Sequence, residues 1–134
     1  MKFFEGQEPM KIDLERSIKS ENTELLQNYI KSNYISFENG QLVEIIPKVA
    51  RSPVFEKIKA EIRLRIIGLN FKLTPSELFD LLLGIEETYL ADKLIVLFTL
   101  SEISEHFNSF SHCQQAKIIS LSLKLNRISA PLAL

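Results

Sequence analysis

The sequence predicts an all-α fold, an irregular helical bundle or a short solenoid-like stack of about six or seven helices. Three observations carry this expectation. Glycine is scarce, four in 134 residues, among abundant Leu, Ile, Glu and Lys, all better helix formers. Apolar residues recur at three- and four-residue spacing along most of the chain. Two capping boxes, Thr74-Pro75-Ser76-Glu77 and Ser111-His112-Cys113-Gln114, mark helix starts by letting the first and fourth side chains exchange hydrogen bonds with each other's backbone N–H.

Taken in order, Ile12 and Ile18 predict a short first helix over 10–19, with a turn from Ser20 to Thr23. Leu25, Leu26, Tyr29 and Ile30 place a second helix that ends near Asn33. Residues 34–46 read two ways. Asn39-Gly40 between two apolar stretches fits a small β-hairpin. The 3–4 spacing of Leu42, Ile45, Ile46 and Val49 favours a helix beginning near Gln41, kinked if Pro47 lies inside it. Ser52-Pro53 then reads as N-cap and first helical residue of a helix burying Phe55, Ile58, Ile62, Ile66 and Leu69, with Gly68 and Asn70 as stops. The helix opened by Thr74 should reach about Gly84. A longer one should cover about Glu86 to Phe107, with Leu90, Leu94, Leu97, Phe98 and Ile103 inward. The last helix, opened by Ser111, carries Ile118, Leu121, Leu125 and Ile128 and should end at Pro131.

Size and composition bound the rest. The length fits a single helical domain, 1–134, which buries roughly two-thirds of its unfolded surface. The apolar stretch from Leu94 to Leu100 is far short of the roughly 20 residues of a membrane helix and reads as a buried core helix, so no membrane partner is expected. The N-terminus has no apolar signal region, and the lone Cys113 excludes an intramolecular disulfide. Both features lead us to expect a cytoplasmic protein.

Recognisable chemistry is sparse, and the chain reads as non-enzymatic with no cofactor. The glycines, at 6, 40, 68 and 84, are too dispersed for a phosphate-binding loop. His106, His112, Cys113 and Glu102 do not make the two close ligand pairs that a structural zinc site needs, so no metal is expected. Cys113 at a helix start with a histidine nearby has the ingredients of an activated thiol, but lacks a third orienting group. It reads instead as a small core residue. The pairs Glu86-Glu87 and Glu77/Asp80 read as solvated helix faces.

Charge is divided along the chain. Residues 48–73 carry a net +5, residues 74–108 a net −6, and residues 109–134 a net +3, within a total of −1. The acidic block holds Glu77, Asp80, Glu86, Glu87, Asp92, Glu102 and Glu105. Charge of one sign gathered on one surface steers partners of the other sign, so these seven are the candidate partner-binding face. The basic helix 54–67 offers Lys57, Lys59, Arg63 and Arg65 to phosphates as the alternative, a nucleic-acid-binding regulatory protein. That reading ranks lower, because the chain is not basic overall and no aromatic platform lies among the cations.

The acidic helices Thr74 to Leu83 and Glu86 to Phe107, followed by Ser111 to Asn126, resemble in size and texture the small all-helical immunity proteins of bacterial contact-dependent inhibition. The resemblance covers about half the chain. It implies a cytoplasmic, non-enzymatic protein that binds and neutralises a cognate toxin domain, often a basic nuclease whose cleft an acidic face would block.

Overall fold

The helices that start beside Glu38, Thr74, Asp92 and Ser111 begin where a side chain satisfies a backbone N–H at the helix start, and the order of the helices sets the architecture. In a computed structural model, residues 14–32, 37–90 and 92–133 are described, with side chains as far as Leu125. Residues 14–19 are helical (α1). They are followed by α2 (Thr23–Ser32), α3 (Asn39–Val49), α4 (Phe55–Ile67), α5 (Pro75–Thr88), α6 (Lys93–Glu105), a 3-10 turn over Phe107–Ser109, and α7 (His112–Ala133). No strand occurs among the described residues.

The packing is that of a short stack of helical hairpins. α3, α5 and α7 pack side by side, α5 most extensively on α3, while α4 and α6 form a second layer against them. Helices of the first layer run parallel. Gly40 lies against Glu77 and Ile46 against Gly84, so α3 and α5 advance together. The Phe79 and Phe110 rings lie 6.2 Å apart and Glu86 meets Lys117, so α5 and α7 do the same. One cluster of buried side chains runs from Leu14 and Ile18 through Ile45, Ile62, Leu81 and Ile95 to Leu125. Burying this much aliphatic surface is the main stabilising term, at about 25 cal/mol per Å². Thr99, fully buried in α6, satisfies its hydroxyl by donating 2.7 Å to the carbonyl of Ile95.

Several boundaries differ from expectation. Asn39 and Gly40 form the first turn of α3, not a hairpin turn, because the Gln41 side chain accepts from the Glu38 N–H (2.9 Å) and opens a helix there. Tyr34 to Ser36 fall outside the described residues, as does Ile12. Pro47 does lie inside α3, two residues before its end, where it cannot donate the usual helical bond to the Val43 carbonyl one turn earlier. Ser52-Pro53 makes a turn that precedes the helix. Ser52 Oγ accepts from the Val54 N–H, and α4 starts only at Phe55.

Gly84 does not end α5. It is buried mid-helix, 3.6 Å from where its Cβ would meet Ile46, and α5 runs on to Thr88. The expected long helix 86–107 is instead broken between α5 and α6. Tyr89 adopts a left-handed conformation (φ 51°), and Asp92 caps a new helix by accepting from the Ile95 N–H at 3.2 Å. α7 continues through Pro131 to Ala133, and the side chain of Ile128 lies outside the described residues.

Helix α4 closes unexpectedly. Asn70 N–H donates 2.8 Å to the Arg65 carbonyl and Leu69 N–H donates 3.1 Å to Ile66, the paired bonds of a Schellman motif. The left-handed position in that motif belongs to Leu69 (φ 58°), while Gly68 sits one residue too early at φ −78°. Leu69, expected inside, is therefore 81% exposed. Among the described residues, no helix is long and apolar enough to cross a membrane.

Candidate functional site

Two capped helices running side by side leave a groove between them. Glu38-Gln41 starts α3. The Thr74 box starts α5, with Glu77 Oε1 accepting from Thr74 N–H (2.9 Å) and Thr74 Oγ1 accepting from Glu77 N–H (3.2 Å). From those starts, helical spacing brings Gly40, Val43, Glu44 and Pro47 opposite Glu77, Asp80, Gly84 and Glu87. The groove encloses about 640 Å³. Its floor is Gly40, Val43, Pro47, Leu83 and Gly84. Its walls carry five carboxylates, on Glu38, Glu44, Glu77, Asp80 and Glu87, and no cation among the described residues. None of the five forms an ion pair among the described residues. At its floor Gly40 is in close contact with the Glu77 carboxylate.

Beyond Pro47 the surface changes sign. A second hollow of about 390 Å³, reached past Glu87, is lined by Lys48 and Arg51 from the end of α3 and by Thr23 and Gln27 of α2. The concave surface is therefore polar along its length, acidic beside the helix starts and basic beyond Pro47. A charged segment laid along it has one preferred direction.

The seven acids expected to form one face are divided among several surfaces. Glu77, Asp80 and Glu87 share the groove. Glu86 turns toward α7 and pairs with Lys117 at 3.8 Å. Asp92 is only 13% exposed. Its Oδ1 caps α6, and its Oδ2 lies 3.3 Å from Arg63 Nε, close enough for an ion pair though not in hydrogen-bond geometry. Glu102 lines a different, mostly apolar hollow with Phe71, Phe98 and His106, and Glu105 is exposed at the end of α6. Charge summed along the chain does not single out Glu38 and Glu44, which lie outside the acidic block. Their place is visible only when the 3–4 spacing of α3 is laid beside that of α5.

The basic helix is largely committed within the fold. Lys59 pairs with Glu56 at 2.8 Å and sits 5.5 Å above the Phe55 ring. Arg65 donates to Glu61 (3.0 Å) and to Asn39 Oδ1 (2.6 Å), and Arg63 faces Asp92. Of the four expected phosphate ligands, only Lys57 points to solvent with no such contact.

Cys113 is exposed in the first turn of α7, not packed in the core. The box before it forms as expected, with Ser111 and Gln114 exchanging bonds of 3.0 and 3.2 Å that leave the thiol outside. His106 ends α6, its N–H shared between the carbonyls of Glu102 and Ile103. Among the described residues, no three His, Cys, Asp or Glu side chains gather closely enough to hold a metal ion. No family model matches the chain, and neither a curated protein nor a solved structure matches it.

Proposed function

We propose that the chain is a non-enzymatic protein-binding module, an immunity-type inhibitor that seats a basic segment of a cognate toxin domain in the groove between α3 and α5. The observation that carries this reading is the groove itself, five carboxylates and, among the described residues, no cation around an apolar floor. Such a surface attracts lysine- and arginine-rich segments over distance and offers their aliphatic stems somewhere to lie. A nuclease, whose cleft is basic because it holds phosphates, has the matching charge. The occupied cations of α4 leave the basic helix less to offer a nucleic acid. In this reading the protein works in the cytoplasm.

The test is affinity capture of the tagged chain from its native host, beside a variant carrying Glu44→Lys, Asp80→Lys and Glu87→Lys. Recovery of one basic protein by the native chain and its loss in the variant supports the reading. Equal recovery by both, or recovery of nucleic acid in place of protein, overturns it. A captured partner whose toxicity in cells is unchanged by co-expression of the chain removes the inhibitor assignment and leaves only binding.

A further inference from the structure

We propose that the outer side of the second layer, centred on Leu64, Ile67 and Leu69, docks on an anionic lipid surface, with the aliphatic tips among the acyl chains and the lysines around them at the headgroups. No spanning helix is involved, since the chain lies on the bilayer and does not cross it. The surface is across the stack from the groove between α3 and α5, and the inference does not depend on that groove.

Helical spacing locates the patch. Ile58 and Ile62 of α4 are buried in the core. Leu64 and Ile67 point well away from them, along one stripe with Lys57 and Ala60. Leu69 follows at φ 58°. These are the three most exposed large aliphatic side chains among the described residues, at 65%, 69% and 81%, and they fall within a span of six residues. Helix α6 runs parallel to α4, because Arg63 meets Asp92 and the Phe71 ring lies 5.5 Å from that of Phe98. Half-exposed Leu97 therefore stands beside Leu69, and the two line one hollow with Lys72. Leu69 also holds a strained backbone position that glycine fills at no steric cost. Such strain persists where the exposed side chain is used.

Charge and side-chain type select the occupant. From Lys57 to Lys72 the chain holds five cations and one acid. The acids on or beside α4 are matched within the fold, Glu56 by Lys59, Glu61 by Arg65 and Asp92 by Arg63. Lys57, on the stripe of Leu64, and Lys72, in the hollow beside Leu69, are exposed and form no ion pair among the described residues. Glu102 lines the same hollow, one turn beyond Phe98 along α6 and away from Leu64. The carboxylates of the groove open on the first layer. A chain of net charge −1 can thus present cations to an anionic surface while its acidic groove faces away. Protein interfaces draw their binding energy chiefly from Trp, Tyr and Arg seated in pockets, whereas this patch is made of projecting leucine and isoleucine. A bilayer takes such side chains without a matching shape, and the lysine stems let their ammonium groups stay at the headgroups.

The experiment is co-sedimentation of the full chain with vesicles of phosphatidylcholine alone and of phosphatidylcholine with about one-third phosphatidylglycerol, at low and high salt. The chain should bind the anionic vesicles at roughly 0.1–1 mM lipid, the range of a single acyl anchor, and the neutral ones at least tenfold less. Ile67→Ser combined with Leu69→Asn, the second a residue that tolerates left-handed backbone, should keep the helical circular dichroism and weaken binding at least tenfold. Lys57→Glu with Lys72→Glu should weaken it several-fold, and more at low salt than at high. The chain has no tryptophan, so Ile67→Trp places a single reporter in the patch, and its emission should shift to the blue on anionic vesicles. A chain that ignores anionic vesicles overturns the proposal, whatever protein fills the groove and whatever else Leu69 binds. So does binding that survives the serine and asparagine substitutions, equal binding to neutral vesicles, or an unshifted tryptophan in a chain that co-sediments.

Discussion

Gly40 in α3 and Glu77 in α5 meet so closely that a methyl group on the glycine would occupy the place of the glutamate's carboxylate. That carboxylate is not free to swing away, since it holds the Thr74 N–H at 2.9 Å. The glycine that suggests a hairpin turn in the sequence instead brings two helix starts together.

Replacing Gly40 by alanine should therefore break the capping box of α5, at a cost of about 1–2 kcal/mol, which outweighs the propensity gain because Gly40 lies in the first turn of α3 and not in its interior. Gly84→Ala should do the opposite. Its Cβ would stand at ordinary contact distance, 3.6 Å, from Ile46, and alanine in a helix interior is worth about 1 kcal/mol over glycine. Urea denaturation of the two variants measures both signs; equal signs would refute the account of the contact.

Asn39 ties the start of α3 to the end of α4. It accepts from Arg65 Nη1 at 2.6 Å and donates to the Asn70 carbonyl at 2.8 Å. Asn39→Ala should destabilise the chain by roughly 1–2 kcal/mol. Asn39→Asp should cost less, because it keeps the acceptor for Arg65 and places an acid at a helix N-terminus. Thermal melts of the two variants give the ranking.

Leu69 holds a left-handed backbone with its side chain in solvent. Leu69→Gly should stabilise the protein by about 1 kcal/mol, since it removes the steric cost and loses little burial. A lower denaturation midpoint would show that Leu69 packs more than its exposure indicates.

The acids differ in what their removal should do to a captured basic partner. Asp80→Lys and Glu87→Lys should slow association, with an effect that shrinks as salt rises. Asp92→Asn keeps an oxygen to cap α6 and should leave association unchanged, though it weakens the ion pair with Arg63. Stopped-flow or surface-binding kinetics at two salt concentrations separate these outcomes.

How far the sequence discloses this molecule depends on the range of the interaction involved. Capping boxes are local, and Thr74 and Ser111 open their helices where the sequence places them. The all-helical class and its hairpin stacking follow from periodicity and short connections. Stops are less legible. Gly84 and Pro131 look like terminators, but tertiary packing on α3 carries α5 past the first, and α7 runs through the second. Leu69 takes a position that propensity assigns to its neighbour Gly68. The acidic groove is the least legible, because it joins Glu38 and Glu44 to residues some forty positions later, and only the parallel course of α3 and α5 makes them neighbours.

The stacking order also says how the chain should come apart. The principal contacts link each helix to the next or the next but one, so few loops must close over long stretches before packing begins. Folding on such a topology is fast, on the order of microseconds to milliseconds, because each hairpin can form on its own and then dock. Unfolding need not be all or none. The end helices can peel away while α3 and α5, the most extensively packed pair, stay joined, and amide exchange should be slowest in those two and quicken toward either end.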